Sequence, residues 1–192
     1  MGRVKEKQAQ KRNDILEKIL PLLGNIPFET LSMKEICKVA DISIGSFYHY
    51  FSRKEDLFVG LLNIIDEYME KEAFPKMKKR NELENIKIFA EEWFKYIETH
   101  GMERSKLITA SAVTDNTPDG QKRISYTKLL SHVRKGQEKA QIRSDIPAEE
   151  LTELIMIQIR GLGVDWTRRN GSYSMIERGK EYTDTILKGI KA

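Results

Sequence analysis

Cysteine is almost absent from this sequence: Cys37 is the only one in 192 residues. A single thiol excludes an internal disulfide framework, and the residues around Cys37 do not have the pattern of a metal site or of an activated nucleophile. We therefore expect no metal and no other cofactor.

Long apolar segments are also lacking. No run approaches the ~20 residues needed to span a bilayer, and the N-terminal segment MGRVKEKQAQKRND has no apolar stretch of the kind that directs secretion. We expect a cytoplasmic protein that does not enter a membrane. The length allows one large or two small domains.

The common sequence motifs of enzymes are missing. There is no phosphate-binding G-x-x-x-x-G-K-[ST], no G-x-S-x-G and no pair of histidines at metal-ligand spacing. The glycines at Gly161 and Gly163 lack the third glycine and the preceding strand of a dinucleotide loop. We predict that the protein is not an enzyme.

The charge of the chain is unevenly distributed. Residues 1–54 contain ten lysines and arginines against six acidic residues, whereas residues 55–192 contain 23 of each. The whole formal net charge of +4 therefore lies at the N-terminal end. A flexible basic arm there is able to contact DNA phosphates, although it also serves as a solubilising tail. This arm consists of Arg3, Lys5, Lys7, Lys11 and Arg12.

Hydrophobic periodicity predicts an all-α protein of about nine helices. A first helix contains Ile15 to Leu23, with Pro21 kinking or stopping it before Gly24, and a fourth helix opens at Ser52 and breaks near Pro75. The turn-rich segment from Thr114 to Gly120 is predicted to be a loop. The other helices are expected from Thr30 or Ser32, from Ser43, and over about 82–100, 103–113, 121–140, 148–169 and 174–190.

Three helix starts lie close together between Ser32 and Phe58. Ser32 with Glu35 and Ser52 with Glu55 each have the spacing of a capping box. Between them, Ser43 is placed to cap a short helix that begins directly after a turn at Asp41 and Ile42. This pattern predicts a helix-turn-helix, whose second helix is able to enter the DNA major groove.

The second helix of this motif has two distinct sides. Phe47 and Phe51 are one turn apart and are suited to packing on neighbouring helices. Small, hydroxylated or ring-bearing side chains occupy the other side, where they are available to phosphates or bases. These residues are Gly45, Ser46, Tyr48 and His49. Ile44 fits either a thymine methyl group or the domain core.

The segment TLSMKEICKVADISIGSFYHYFSRKEDLF resembles the DNA-binding segment of the TetR family of bacterial transcriptional repressors. Two positions depart from the family pattern: Asp41 replaces the usual turn glycine, and Cys37 replaces the usual alanine. The residues that stand at the positions of the pattern, with Cys37 as a small substitute, are Ser32, Ile36, Cys37, Ala40, Ser43, Gly45, Tyr48, Phe51, Lys54 and Glu55.

The resemblance implies that Tyr48 and Lys54 contact phosphates. By their position, Ser46 and His49 are candidates for base contacts, with a phosphate contact equally open for His49. Tyr50 fits either packing or a phosphate contact, and a residue at the start of a helix can bind phosphate as well as cap it. The predicted DNA-binding residues are Thr30, Ser32, Ser43, Ile44, Gly45, Ser46, Tyr48, His49, Tyr50 and Lys54.

We expect residues 1–51 to form a DNA-binding domain and residues 52–192 a helical domain for ligand binding and dimerisation. In the resembling family, a ligand shifts the fourth helix, so that the two helix-turn-helix motifs of a dimer no longer match the spacing of the DNA half-sites. The operator is then expected to be a palindrome in double-stranded DNA, and the ligand an unknown small molecule.

The C-terminal half offers candidates for the ligand cavity and the dimer interface. Four aromatic residues fit either a pocket or the core: Phe89, Trp93, Tyr96 and Trp166. His100 and His132 are expected at a helix end or in solvent rather than in such a pocket. Apolar faces of the last two helices fit either a four-helix dimer interface or packing within the monomer: Leu151, Leu154, Ile155, Gln158, Ile159, Leu162, Tyr182, Ile186 and Ile190.

These observations predict a ligand-responsive transcriptional regulator that binds its operator as a homodimer. Repression with release by the ligand is the behaviour that the resemblance implies. The alternatives are an activator of the same fold and a helical adaptor that binds only protein.

Overall fold

The computed structural model describes residues 2–26, 30–102, 104–106 and 123–192. Regular secondary structure in these ranges is helical, apart from an isolated antiparallel bridge between Ile142 and Lys191. The predicted all-α fold is confirmed. The helices are α1 (Gly2–Asn25), α2 (Met33–Ala40), α3 (Ile44–Tyr50), α4 (Asp56–Tyr68), α5 (Glu82–His100), α6 (Ile124–Glu138), α7 (Ala148–Arg168) and α8 (Met175–Ile190).

Most predicted helix ranges agree with these bounds. Helix α5 has the predicted limits, because Asn81 accepts a hydrogen bond from Leu83 N at its start and Gly101 follows its end. Helix α4 continues as a π-helical turn, Met69–Ala73, and ends just before Pro75. Of the helix predicted over 103–113, only residues 104–106 are described, and they are helical. The predicted loop from Thr114 to Gly120 lies outside the described residues.

Helix α1 differs from the prediction at both ends. It begins at Gly2, so the basic residues of the N-terminus lie on the helix itself and not on a flexible arm. It also runs through Pro21 to Asn25, so Pro21 does not stop it. Burial of Ile15, Leu16 and Ile19 against the neighbouring helices stabilises α1 as a whole and offsets the unfavourable proline.

The turn between α2 and α3 is fixed by local hydrogen bonds. The predicted Ser32–Glu35 capping box is present at the start of α2, and Ser43 accepts a hydrogen bond from Ser46 N at the start of α3. At the end of α2, Asp41 takes a left-handed conformation (φ 56°), while Asp41 N and Ile42 N donate to the carbonyls of Lys38 and Cys37. Aspartate thus supplies the conformation for which glycine is more common.

The second predicted capping box, Ser52 with Glu55, is wrong. Helix α4 begins at Asp56, and the side chain of Glu55 makes no capping bond. Asp56 Oδ2 instead accepts hydrogen bonds from Ser52 N (2.8 Å) and Arg53 N (3.2 Å). The later start of the helix brings the Asp56 carboxylate, and not that of Glu55, within reach of these donors.

The buried side chains form two clusters. The N-terminal core joins α1, α2 and α3 to the first half of α4, which contributes Leu57 and Leu61. The C-terminal core begins at Ile65 and is built from α5 to α8. Gly60 allows α1 to approach α4 closely, because a Cβ atom there would lie 2.6 Å from Leu16 Cδ1. We call residues 2–61 the reading unit and the rest the sensor half.

No helix in the described ranges is long and apolar enough to cross a lipid bilayer.

Candidate nucleic-acid interface

Helix α3 is held in place by its aromatic side. Phe47 and Phe51 are buried and stacked, with ring centroids 5.1 Å apart. The Arg12 guanidinium lies 4.8 Å from the Phe51 ring centroid and donates a hydrogen bond to Asp56 O (3.4 Å). Arg12, predicted as part of a DNA-binding arm, therefore helps to fix α3 and α4 to α1.

The opposite side of α3 faces solvent. Tyr48 is 52% exposed and Ile44 is 42% exposed, so Ile44 lies outside the core. Gly45 and His49 are exposed as well, whereas Ser46 is half-buried. The structure thus brings the predicted base-contacting and phosphate-contacting residues of α3 together on one accessible surface, which we call the reading face.

Tyr50 lies at the flank of this face. It is half-buried and packs against the N-terminal core. Its ring centroid is 4.9 Å from that of His49 in an edge-to-face arrangement. The packing role weighed for Tyr50 is therefore present, and its phosphate contact remains a prediction.

Ser32 is engaged in capping at the start of α2. Its hydroxyl donates to Glu35 Oε2 (2.7 Å), and Ser32 N donates to the same oxygen (2.8 Å). These hydrogen bonds lower the pKa of Glu35, so a carboxylate stands beside the helix N-terminus. Its negative charge opposes a nearby phosphate. The phosphate contacts predicted for Ser32 and for exposed Thr30 remain predictions.

Lys54 has a structural contact that the sequence did not reveal. Its Nζ donates a 2.7 Å hydrogen bond to Leu31 O, which links the start of α4 to the residue before α2. Lys18 makes a similar contact from α1, donating to Ala40 O at the end of α2 (3.2 Å). Both lysines satisfy backbone carbonyls of the helix-turn-helix, and sequence patterns give no signal for such long-range bonds.

The four aromatic candidates for a ligand pocket are buried in the C-terminal core: Phe89, Trp93, Tyr96 and Trp166. Trp166 Nε1 donates to Tyr173 O (2.9 Å). The Tyr96 ring stacks on His100, with centroids 4.1 Å apart. Their packing role is clear, and their ligand role remains a prediction.

Two clefts among the described residues lie away from these four aromatic side chains. One, of about 320 Å³, is between α1, α3 and α4 and is lined in part by Arg12, His49 and Glu67. The other, of about 270 Å³, is between α7 and α8, beside Leu154 and Ile186.

The predicted dimer residues divide into two groups by burial. Leu154 and Tyr182 are exposed, and Gln158 and Ile186 are half-buried. The Gln158 amide has no hydrogen-bond partner among the described residues, although its nitrogen and oxygen are shielded from solvent. The other five are buried within the monomer: Leu151, Ile155, Ile159, Leu162 and Ile190.

A buried ionic cluster joins α5 to α6. Glu82 accepts hydrogen bonds from His132 Nδ1 (2.7 Å), Lys139 Nζ (2.6 Å) and Asn85 Nδ2 (2.8 Å). Burial opposes ionisation of Glu82, but these donors lower its pKa to about 2. For His132, burial prevails and lowers the pKa below 6.5. The expected solvent position of His132 was therefore wrong, since no local pattern marks a partner 50 residues away.

The comparisons with known proteins agree with this geometry. Residues 15–61 match the model of a family described as bacterial regulatory proteins, tetR family. This segment is a TetR-family domain. The predicted resemblance is confirmed, and the matched residues contain the second half of α1, all of α2 and α3, and the first half of α4.

Solved structures resemble the chain over nearly its whole length. FadR from Bacillus subtilis, in complex with stearoyl-CoA, has a TM-score of 0.78 at 14% identity, covering 92% of this chain and 98% of FadR. The ketosteroid regulator KstR2 of Mycobacterium tuberculosis has a TM-score of 0.67 at 20% identity, covering 94% and 95%. AibR, in complex with isovaleryl coenzyme A and operator DNA, has a TM-score of 0.67 at 16% identity, covering 94% and 97%.

These similarities show that the sensor half shares the TetR-like fold. The family and the named neighbours are transcriptional regulators, not enzymes. A comparison with curated proteins gave no match.

Proposed function

We propose that this protein is a homodimeric transcriptional repressor, which binds a palindromic operator and is released from it by a small-molecule effector. The observation that carries the proposal is the reading face on α3. Ile44, Tyr48 and His49 are exposed there, while Phe47 and Phe51 anchor the same helix in the core. A helix presented in this way fits the DNA major groove.

The dimer is supported by an apolar stripe on α7. Leu154, Ile157 and Val164 recur at helical spacing and are all exposed, with Ile157 at 59%. Tyr182 adds an exposed aromatic ring on α8. Such a stripe is unfavourable in water and fits burial against the same stripe of a second copy. We therefore propose these four residues, with Gln158 and Ile186, as the dimer face.

Acyl-CoA thioesters are the first effectors to test. FadR and AibR were each solved with a compound of this class. In our proposal the effector binds the sensor half near the predicted aromatic residues, and the protein acts in the cytoplasm, where it has access to chromosomal DNA. Activation in place of repression remains the alternative, and a transcription assay distinguishes the two.

Selection from a pool of random DNA duplexes tests the proposal directly. We expect the purified full chain to enrich a palindrome whose half-site centres lie roughly 34–36 Å apart or at a multiple of that distance. The Tyr48→Ala variant should recover little DNA, because it loses a contact of the reading face. Thr127→Ala, an exposed change on α6 outside both the reading face and the proposed dimer face, is the matched control. Enrichment of no palindrome would contradict DNA reading and favour the protein adaptor.

A further inference from the structure

Arg104 joins the sensor half to the reading unit. It follows α5 and is only 7% exposed. Its Nη2 donates to both carboxylate oxygens of Glu17 on α1, at 2.5 and 2.6 Å, and its Nη1 donates to Tyr96 OH at 2.7 Å. One guanidinium thus holds the middle of α1 against the aromatic residues of α5.

Arg123 makes a second connection, to the part of α4 that lies in the sensor half just beyond the reading unit. It precedes α6, and its Nη2 lies 3.1 Å from Asp66 Oδ2 and donates to Leu62 O at 2.5 Å. Ser125 Oγ donates to the other oxygen of the same carboxylate (2.5 Å). Asp66 is buried, and its carboxylate pairs with the Arg123 charge and accepts the hydrogen bond from Ser125.

The two connections constrain two different helices: Arg104 holds α1, and Arg123 holds α4. Helices α1 and α4 share the N-terminal core, and α4 also runs into the sensor half. A single link along α4 leaves the reading unit able to pivot, whereas a second link at Glu17 opposes that rotation. The Arg104 and Asp66 side chains are largely buried, so separating the helices would leave each of these charges without its ionic partner in a poorly solvated place.

We propose that Arg104 and Arg123 are positioning residues for operator binding. They fix α1 and α4 against the sensor half and thereby set the separation of the two reading faces in the dimer. This inference rests on the proposed function, since separation matters only if two reading faces bind one duplex.

The test compares two DNA duplexes, one with the selected palindrome and one with a single half-site. Arg104→Gln should weaken binding to the palindrome about tenfold, a size typical of directly coupled residues. Affinity for the single half-site should not change, because one reading face binds it without regard to the other. Arg123→Gln should behave in the same way.

Exchange of the charges provides a rescue. In the double variant Glu17→Arg with Arg104→Glu, the carboxylate at position 104 pairs with the new arginine and accepts a hydrogen bond from Tyr96 OH. Affinity for the palindrome should return towards the wild-type value. Lys87→Gln, which breaks an ion pair with Asp184 between α5 and α8 inside the sensor half, is the matched control and should leave both affinities unchanged.

Three outcomes would overturn the inference. They are unchanged affinity of Arg104→Gln for the palindrome, equal losses on both duplexes, and absence of rescue in a charge-exchanged protein that folds. If Arg104→Gln does not fold, Glu17→Gln is measured under the same criteria, because its side chain is half exposed. Failure of the wild-type chain to bind any duplex would instead contradict the proposed function.

Discussion

At the scale of single residues, several side chains combine a predicted contact with a structural one. Lys54 matches the phosphate-binding lysine of the TetR pattern and also donates to Leu31 O. Ser32 opens α2 and caps it. The motif predicted which residues of α3 lie on the reading face. Its internal hydrogen bonds depend on the fold and could not be derived from spacing alone.

Replacement of Lys54 by alanine separates its two roles. Loss of a phosphate contact should weaken binding to all duplexes alike and make the slope of log K against log salt shallower by about one unit. Loss of the bond to Leu31 O should also reduce the free energy of unfolding by about 1 kcal/mol. Titrations at several salt concentrations and denaturant unfolding measure the two effects. Lys188→Ala is the control, and an unchanged salt slope would remove Lys54 from the phosphate contacts.

The ionic cluster around Glu82 should make stability depend on pH. Because burial holds the pKa of His132 below 6.5 in the folded protein, the unfolded chain takes up a proton first as the pH falls. The contribution of this histidine to the free energy of unfolding is therefore complete above pH 6.5 and is lost as the pH falls below it. The pKa of Glu82 is about 2, below its ordinary value of 4.5. The stability that this carboxylate contributes is therefore lost as the pH falls from 4.5 to about 2.

Denaturant unfolding between pH 5 and pH 7.5 measures the first of these losses. His132→Gln keeps an amide donor for Glu82 but does not titrate, so its free energy of unfolding should fall less than that of the wild type. His100→Gln, at an exposed helix end, is the control. Parallel curves for the wild type and His132→Gln would show that His132 does not carry the dependence.

At the scale of elements, local signals predicted helix ends where a side chain and its partner lie within one turn. The box at Ser32 and the cap at Ser43 are examples. The prediction was wrong at Ser52, where the helix starts later and Asp56 provides the acceptor. It was incomplete at Pro21, because packing of Ile15 and Leu16 decides whether α1 continues, and packing is not visible in a local window.

The crossing of α1 and α4 should be sensitive to a single methyl group. Gly60→Ala places a carbon 2.6 Å from the Leu16 side chain, so the helices must separate or Leu16 must change rotamer. We expect a loss of about 1–3 kcal/mol in the free energy of unfolding, as is typical of overpacked cores. Gly189→Ala, where an added carbon meets open space, is the control. A variant as stable as the wild type would show that this crossing adapts without cost.

At the scale of the whole molecule, the excess of basic residues lies in residues 1–54, within the reading unit, whereas residues 55–192 carry no net formal charge. The division of charge was apparent in the sequence, and so were the helices of both halves. Which apolar residues of the last two helices stay exposed was only partly predicted. Periodicity marks an apolar side of a helix but does not tell whether it faces its own core, as Leu151 does, or solvent, as Leu154 does.

Ile157→Glu tests the proposed dimer. Because Ile157 is exposed in the monomer, the variant should fold, but two carboxylates brought together in the apolar face should prevent association. Sedimentation equilibrium should then show a monomer, and affinity for the palindrome should fall towards that for one half-site. Ile124→Glu, an exposed isoleucine at the start of α6, is the control. A variant that remains dimeric would place the interface elsewhere.

The lone thiol gives the reading unit a built-in reporter. Cys37 is buried in the N-terminal core, and burial raises its pKa, so a thiol reagent can modify it only when that core opens. With one cysteine in the chain, the labelling rate reports the opening of this half alone, while spectroscopic unfolding reports both. Comparison of the two rates, with and without DNA, would measure how far the halves unfold together, without any engineered probe.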